Sequence, residues 1–185
     1  EKLYQSEDMV SVDFADYIRN LTDYLLKSYS LGNKKIKLKL NVEKVFLGMD
    51  TAVPLGIIIN ELVSNSLKHA FVRRSTGEIS IELYSNELYE DNYAGKTGSS
   101  ESLENNLAEN RNNKASYSRS IIKNESDKLT LIVKDNGAGF PEELDFRQTN
   151  SLGLQLVTTL VDQIEGDIEL DTKNGTEFKI RFLKQ

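Results

Sequence analysis

Cysteine and tryptophan are absent from the 185-residue sequence, which also has a single histidine and only two prolines. Without cysteine there is no disulfide framework, iron–sulfur cluster or thiolate zinc site, and one histidine excludes a metal centre of several imidazoles. No apolar run approaches the roughly 18 residues that a membrane span needs, so we expect no direct membrane contact. These absences predict a soluble domain of a reducing, cytoplasmic compartment.

The charge balance is acidic, with 23 basic and 29 acidic side chains and a net charge of −6. Domains that bind nucleic acid through its phosphate backbone usually carry a clustered basic excess. We therefore expect no nucleic-acid partner, while a single nucleotide remains compatible with an acidic domain.

Composition divides the chain into a short first segment and one domain. Residues 1–10 carry Leu3, Tyr4 and Met9 among charges, and we interpret them as the end of an upstream helix. Residues 11–185 have the length of a single domain. Within it, residues 85–127 contain eight Asn and eight Ser. Burial cannot offset the entropy of ordering such a stretch, so we expect a mostly disordered insertion.

Hydrophobic periodicity predicts three helices. The expected boundaries are Asp13 as N-cap with an end at Gly32 and Asn33, Thr51 as N-cap with Pro54 in the first turn and an end at Ala70, and Leu152 to Ile164 with a cap at Gly166.

Six apolar or alternating segments predict strands at 36–42, 45–49, 78–84, 129–133, 168–170 and 177–182. We interpret the first two as a hairpin or meander and the next two as central strands of one sheet. The last two flank Asn174-Gly175, a strong hairpin signal.

Three clusters are candidates for chemistry. Glu61, Asn65, Lys68 and His69 recur at helical spacing and would share one face of the second helix. Residues 135–139 (Asp-Asn-Gly-Ala-Gly) follow an apolar strand, and residues 151–154 (Ser-Leu-Gly-Leu) open the third helix. Glycines let the backbone approach a ligand closely, and helix N-termini bind phosphate oxygens. Each cluster alone is a weak signal, and a polar helix face is equally compatible with solvation.

In this order, and with Gly175-Thr176, the clusters resemble the motifs of the Bergerat ATP-binding fold. Sensor histidine kinases share that fold with gyrase, mismatch-repair ATPases and the large heat-shock chaperones. Residues 60–70 resemble the N box, 135–139 and 151–154 the two glycine boxes, and 175–176 the last motif. The resemblance covers about residues 13–185 and is strongest to the histidine-kinase branch. No Gly-x-x-x-x-Gly-Lys-Ser/Thr segment is present, so a P-loop is excluded.

The resemblance implies an α+β fold, a two-layer sandwich in which about three helices cover one face of a mixed, mainly antiparallel sheet. It also implies that the cofactors are ATP and Mg²⁺. Asn65 would hold Mg²⁺, Lys68 would neutralise phosphate charge and His69 would lie beside it.

The nucleotide itself would be held by the later motifs. Asp135 would accept a hydrogen bond from the adenine amine, Thr176 would support that contact, and the loop with Gly137 and Gly139 would leave room for the ring. The phosphates would meet backbone N–H groups of Leu152, Gly153 and Leu154. Ser151 and Asn174 depart from the commoner pattern of the family.

The same resemblance implies partners. The chain would transfer the γ-phosphoryl of ATP to a histidine upstream of Glu1, on dimerisation helices of a homodimer, for relay to a response regulator. His69 lies inside the nucleotide-site helix, so we do not interpret it as the acceptor. Arg147 is interpreted as a surface arginine in preference to a γ-phosphate contact.

Three alternatives stay open. Glu61 stands where hydrolytic relatives place a general base, which admits an ATP-hydrolysing clamp. The short stretch between Gly139 and Ser151 and the lack of a transducer domain argue against it. An anti-sigma-type serine kinase is disfavoured by the helix remnant at residues 1–10, and a non-catalytic nucleotide sensor is the plainest alternative.

Overall fold

Seven strands and three α-helices make up the described part of the chain. A computed structural model describes residues 11–29, 34–85, 128–141 and 143–184. The elements in chain order are β1 (Ser11–Asp13), α1 (Phe14–Ser28), β2 (Lys35–Val42), β3 (Phe46–Gly48), α2 (Met49–Asn65), a π-helical turn (Ser66–Ala70), β4 (Thr76–Ser85), β5 (Lys128–Asp135), α3 (Leu152–Gln163), β6 (Asp167–Asp171) and β7 (Thr176–Leu183).

Five of the strands form one sheet in the order β2-β4-β5-β7-β6, while β1 and β3 form a small ribbon. β2 and β4 are parallel, and the other pairs in the sheet are antiparallel. The three helices and the mixed, mostly antiparallel sheet confirm the predicted α+β sandwich.

The predicted hairpin between the second and third strands is wrong. β2 pairs with β4, with Lys35 opposite Thr76, and β3 pairs with β1 instead. No hairpin forms after β2. Instead, the N–H of Glu43 donates to Leu83 O at 2.9 Å and prolongs the contact with β4. Parallel strands require a crossover, and α2 supplies it.

The core lies between the helices and one face of the sheet. Ile79, Ile81 and Leu83 of β4 are fully buried, as are Ile58 and Ile59 of α2. α2 is the central helix and packs against both α1 and α3. On the edge strand β2 the lysines at 35, 37 and 39 are exposed, which leaves that side of the strand in water. The helical layer therefore fixes α2, and with it any site at the end of α2.

The ends of the first two helices test the capping predictions. Asp13 is the N-cap of α1, as predicted, and its Oδ1 accepts the N–H of Asp16 at 3.3 Å. α1 ends at Ser28, and the predicted stop signals Gly32 and Asn33 lie outside the described residues. The prediction for α2 is wrong at its start. Gly48 is the N-cap, Thr51 is buried inside the helix, and Pro54 is the sixth helical residue.

Gly166 caps α3 as predicted, although it is not the residue with the left-handed backbone. α3 ends at Gln163, and Glu165 has the positive φ of 52°. Gly166 comes one residue later, where its N–H donates to Val161 O at 2.9 Å. The left-handed residue is therefore a glutamate, and the glycine lies past it.

The remaining strand predictions are confirmed. β4 and β5 are neighbours inside the sheet, and β6 and β7 form an antiparallel pair joined through Asn174-Gly175. Gly175 has a φ of 101°, and a Cβ on it would lie 2.0 Å from Asp135 O. Only glycine fits this turn against the end of β5.

Two predicted segments lie outside the described residues: the upstream helix end at 1–10, and the insertion at 85–127 apart from Ser85, which ends β4. Within the described ranges, no helix combines the length and apolar character needed to cross a membrane.

Candidate functional site

A pocket of about 380 Å³ lies between the end of α2, the loop after β5, the start of α3 and the start of β7. Six predicted site residues line it: Asn65, His69, Asp135, Gly139, Leu154 and Thr176. The fold thus brings residues of all four motifs to one place.

Asp135 is the buried anionic group of the pocket, with 2% of its surface exposed. Its Oδ2 accepts a hydrogen bond from Ser66 Oγ at 2.8 Å. Its Oδ1 accepts from the backbone N–H groups of Gly137 at 2.9 Å and Thr176 at 3.3 Å. A carboxylate fixed by three donors is an oriented acceptor with remaining capacity, which suits the amine of a flat heterocycle.

The strand register places Asp135 there. It is the last residue of β5, opposite Thr176 on β7 and Ile79 on β4. Its neighbours on β5 point alternately to the core and to the wet face of the sheet, and Asp135 continues the core-facing set with Leu131 and Val133. The carboxylate therefore lies at the floor of the pocket, next to the last buried apolar side chains of β5.

The glycine loop after β5 packs directly on the π-helical turn. A Cβ on Gly137 would lie 2.5 Å from Ala70 O, and the N–H of Ala138 donates to that same oxygen at 2.9 Å. Gly139 has a φ of 83° and lines the pocket. Gly137 does not line it, so its small size serves the packing of the loop.

The π-helical turn separates the side chains that were expected to share one face. Its hydrogen bonds span five residues, which widens the turn relative to an α-helix. Asn65 and His69 line the pocket, while Lys68 lies outside it with Nζ 5.9 Å from the ring centroid of Tyr29. The helical spacing assumed from the sequence does not hold across this turn, and the shared face of all four residues is wrong for that reason.

Glu61 lies next to the second glycine motif without lining the pocket. A Cβ on Gly153 would be 2.6 Å from Glu61 Oε2, so the carboxylate lies against the second residue of α3. The N-terminus of a helix favours negative charge. Leu154 of the same motif lines the pocket, whereas Leu152 is 81% exposed.

Aromatic side chains that the sequence analysis missed shape the stretch between Gly139 and Ser151. Phe140 and Phe178 line the pocket. The rings of Phe140 and Phe146 meet Phe178 edge-on, at centroid distances of 6.4 and 5.6 Å. The sequence offered one signal for this packing, namely two phenylalanines in a largely polar stretch. Such aromatic side chains need a packing partner.

Ser66 and Arg147 complete the comparison with the sequence. Ser66 was not predicted, although a serine among the buried Leu62, Val63 and Leu67 needs a hydrogen-bond partner.

Arg147 does not line the pocket. Its Nη2 donates instead to Ile168 O at 2.5 Å. This arrangement agrees with the interpretation of Arg147 as a surface arginine.

The residues present fit Mg²⁺ only as a cation shared with phosphates. The described residues contain no group of three or more His, Cys, Asp or Glu that could hold a metal ion by themselves. Asn65 brings one amide oxygen to the pocket. Mg²⁺ typically keeps several waters and is bound through one or two protein oxygens plus substrate phosphates.

Comparisons with known proteins give a consistent picture. Residues 99–185 match the family model described as "Histidine kinase-, DNA gyrase B-, and HSP90-like ATPase". A curated relative, blue-light-activated histidine kinase 2 of Erythrobacter litoralis, is 24% identical over 180 residues, which are 94% of this chain and 41% of the relative.

Solved structures show the same fold. The histidine kinase domain of the Erythrobacter litoralis EL346 blue-light-activated kinase aligns with a TM-score of 0.68 at 18% identity, covering 98% of this chain and 65% of that one. Acinetobacter baumannii histidine kinase AdeS aligns with a TM-score of 0.58 at 14% identity, covering 95% of this chain and 66% of that one. The chain therefore spans less than two thirds of these relatives.

Proposed function

We propose that this chain, whose residues 99–185 match the family model of histidine kinase-, DNA gyrase B- and HSP90-like ATPases, is the ATP-binding catalytic part of a sensor histidine kinase. The observation that carries the proposal is the buried Asp135 carboxylate, held by three donors at the floor of a pocket that residues of four motifs line. Adenine binds there through its exocyclic amine.

The rest of the pocket receives the phosphates. Asn65 holds Mg²⁺ through its amide oxygen, and the N-terminal turn of α3 at Leu152, Gly153 and Leu154 offers N–H groups to the phosphate oxygens. When bound, Mg²⁺ supplies charge neutralisation. His69 lies beside the phosphates, and Lys68 adds positive charge from the rim, which requires its ammonium group to leave the Tyr29 ring.

The reaction is phosphoryl transfer to a histidine upstream of this chain. The imidazole nitrogen of that residue forms a bond to the γ-phosphorus, the bond to the bridging oxygen breaks, and ADP leaves. Positioning and charge neutralisation supply most of the catalysis in such transfers. The upstream helices form the homodimer, and the phosphohistidine then passes its phosphoryl group to a response regulator.

The test is incubation with γ-labelled ATP, with and without the upstream dimerisation segment supplied as a separate chain. We expect no label on this chain alone and slow labelling of the added segment, because separation loses the proximity of acceptor and phosphate. The label should be lost in acid and retained in alkali, as phosphohistidine is. Acid-stable label on a partner would instead support the serine-kinase alternative.

The variant Asn65→Ala tests the assignment of Asn65 as the metal ligand. The variant should keep its melting temperature yet lose both labelling and the Mg²⁺-dependent increase in ATP affinity, because one metal ligand is removed. If calorimetry showed Mg-ATP bound as well as in the parent, Asn65 would not be the metal ligand.

Glu61 favours ATP hydrolysis as a second candidate function. Its carboxylate lies against Gly153, next to the turn assigned to the phosphates, where it is placed to accept a proton from an attacking water. Rapid phosphate release with no labelled protein, abolished in Glu61→Gln, would support this reading. Retained release in Glu61→Gln would exclude Glu61 as the general base.

A further inference from the structure

A second, basic pocket of about 580 Å³ opens beside the edge strand of the sheet. It is lined by Lys35 and Lys37 of β2, by Arg73 and Arg74 of the turn that follows the π-helical turn, and by Asn136 of the glycine loop. None of its lining residues lines the candidate nucleotide pocket. It is therefore a separate cavity that touches the other side of the same loop.

The charge in this basic pocket is not compensated locally. Its one carboxylate, Glu78, is already paired with the Nζ of Lys39 at 2.9 Å. Among the residues that the structure describes, Lys35, Lys37, Arg73 and Arg74 form no ion pair. Four cations that form no ion pair with a described residue are conspicuous in one concavity of a chain whose net charge is −6.

The backbone around the basic pocket is fixed. The parallel register sets Lys35 opposite Thr76 and Lys37 opposite Glu78, and the N–H of Lys35 donates to Ser75 O at 2.7 Å. The Arg74 guanidinium donates through Nη1 to Asn136 O at 2.5 Å. A frame that is ordered before binding loses less entropy when a ligand arrives.

We propose that the basic pocket binds a small anion with several phosphate groups. Guanidinium groups match phosphate oxygens with paired donors, and lysines add compact point charges. A concavity lined by four cations can contact a small polyanion at several of its oxygens. We assign the ligand to a free oligophosphate and not to the head group of a lipid, because the four cations converge on one small concavity.

Asn136 lies between the basic pocket, which it lines, and Asp135 of the nucleotide pocket. Its N–H donates to Glu78 O at 3.2 Å, and its side-chain Oδ1 accepts the N–H of Glu78 at 2.8 Å. Asn136 follows Asp135 directly, and its carbonyl receives Arg74.

The test is calorimetric titration of tripolyphosphate into the full chain in Mg²⁺-free buffer. Lys37→Gln/Arg73→Gln should lower the affinity by about tenfold or more. Lys27→Gln/Lys184→Gln removes the same charge from exposed sites elsewhere and should leave the affinity within about twofold. Lys37 and Arg73 are exposed, so we expect Lys37→Gln/Arg73→Gln to fold. Lys35→Gln/Lys37→Gln is a second variant that should show the same loss of tripolyphosphate affinity.

Each outcome decides the proposal. Equal binding by Lys37→Gln/Arg73→Gln and the parent would place the anion outside the basic pocket and overturn the assignment. An equal loss of affinity in Lys27→Gln/Lys184→Gln would overturn it as well. Absence of tripolyphosphate binding, or binding only to phosphoinositide vesicles, would overturn it too. Since these variants leave Asp135 and Asn65 intact, ATP binding tests the proposed function separately.

Discussion

Asp135 joins a core strand to a largely apolar pocket, and its three donors come from three different parts of the chain. Asp135→Asn keeps the size of the side chain, yet it replaces one acceptor oxygen by an amide donor that faces both Ser66 and the incoming adenine amine. We expect a loss of roughly 1.5–3 kcal/mol, about 10- to 100-fold in ADP affinity by calorimetry. Asp162→Asn, the same change on the exposed side of α3, should leave the affinity unaltered; similar constants for both variants would contradict the adenine assignment.

Two fully buried threonines differ in the hydrogen bonding of their hydroxyl groups and form a matched pair. Thr22 Oγ1 contacts Ile18 O at 2.8 Å and Arg19 O at 3.1 Å, whereas Thr51 Oγ1 is buried without a partner among the described residues. Thr22→Val should lower the free energy of unfolding by about 1 kcal/mol, while Thr51→Val should be neutral or raise it. Urea denaturation measures both. Equal destabilisation by the two changes would show that the Thr51 hydroxyl has a partner in solution.

The sequence allowed Asp135 to be predicted and not Ser66. An acidic residue that directly ends an apolar strand and precedes glycines is conspicuous by its chemistry. Ser66 becomes significant only through a contact across 69 sequence positions, at 2.8 Å from Asp135. Lys68 was misplaced because its direction depends on the π-helical turn, and residue periodicity alone does not distinguish a π turn from an α turn.

The π-helical turn and the glycine loop form one packed unit at the scale of elements. Gly137 faces Ala70 so closely that a methyl group would meet the carbonyl oxygen at 2.5 Å. Gly137→Ala should therefore destabilise the chain by about 1–3 kcal/mol and weaken nucleotide binding with it, because the loop that follows Asp135 must shift.

Thermal unfolding and ADP titration of the same preparations check this prediction. Ala138→Ser, one residue along the loop and exposed, is the control and should change neither quantity. An unaltered melting temperature in Gly137→Ala would mean that the loop does not pack on Ala70 as described.

A local turn signal predicted the pairing of β6 with β7, whereas β4 and β5 were placed in one sheet from their apolar pattern alone. Asn174-Gly175 predicted the β6–β7 hairpin correctly because a tight turn fixes both register and direction. The pairing of β2 with β4 is parallel and spans the whole of α2, and no local turn signal encodes it. The three residues between β2 and β3 resemble a hairpin connection in length alone, which led to the wrong interpretation.

At the scale of the whole molecule, the helices cover one face of the sheet, and ion pairs cross strands in it. Arg181 on β7 contacts Glu169 on β6 through two hydrogen bonds, at 2.8 and 3.0 Å. The Arg181 guanidinium lowers the pKa of Glu169 below its ordinary value and has its own pKa raised in return.

This pair predicts a pH-dependent term in global stability. Because the pKa of Glu169 is lower in the folded chain than in the unfolded one, the pair stabilises the fold above the ordinary pKa of 4.5 and ceases to do so as the pH falls through the lowered value. The pair is exposed, so Glu169→Gln should cost less than about 1 kcal/mol at pH 7.

Urea denaturation from pH 7 downward follows the difference between Glu169→Gln and the parent, which should shrink below pH 4.5. Glu143→Gln, which removes an exposed carboxylate elsewhere, should show no such trend. A difference that grows in acid would reverse the assigned sign.

The antiparallel pairing of β4 and β5 sets Ser85 beside Leu129, so the chain leaves the sheet and returns to it at neighbouring points. Asp135 lies at the other end of β5, six residues and about 20 Å from Leu129 at the usual rise per residue. A foreign domain inserted between residues 85 and 128 would enter and leave the fold at one end of the sheet, remote from Asp135. That end of the sheet therefore offers a position for a reporter domain that does not touch the candidate nucleotide pocket.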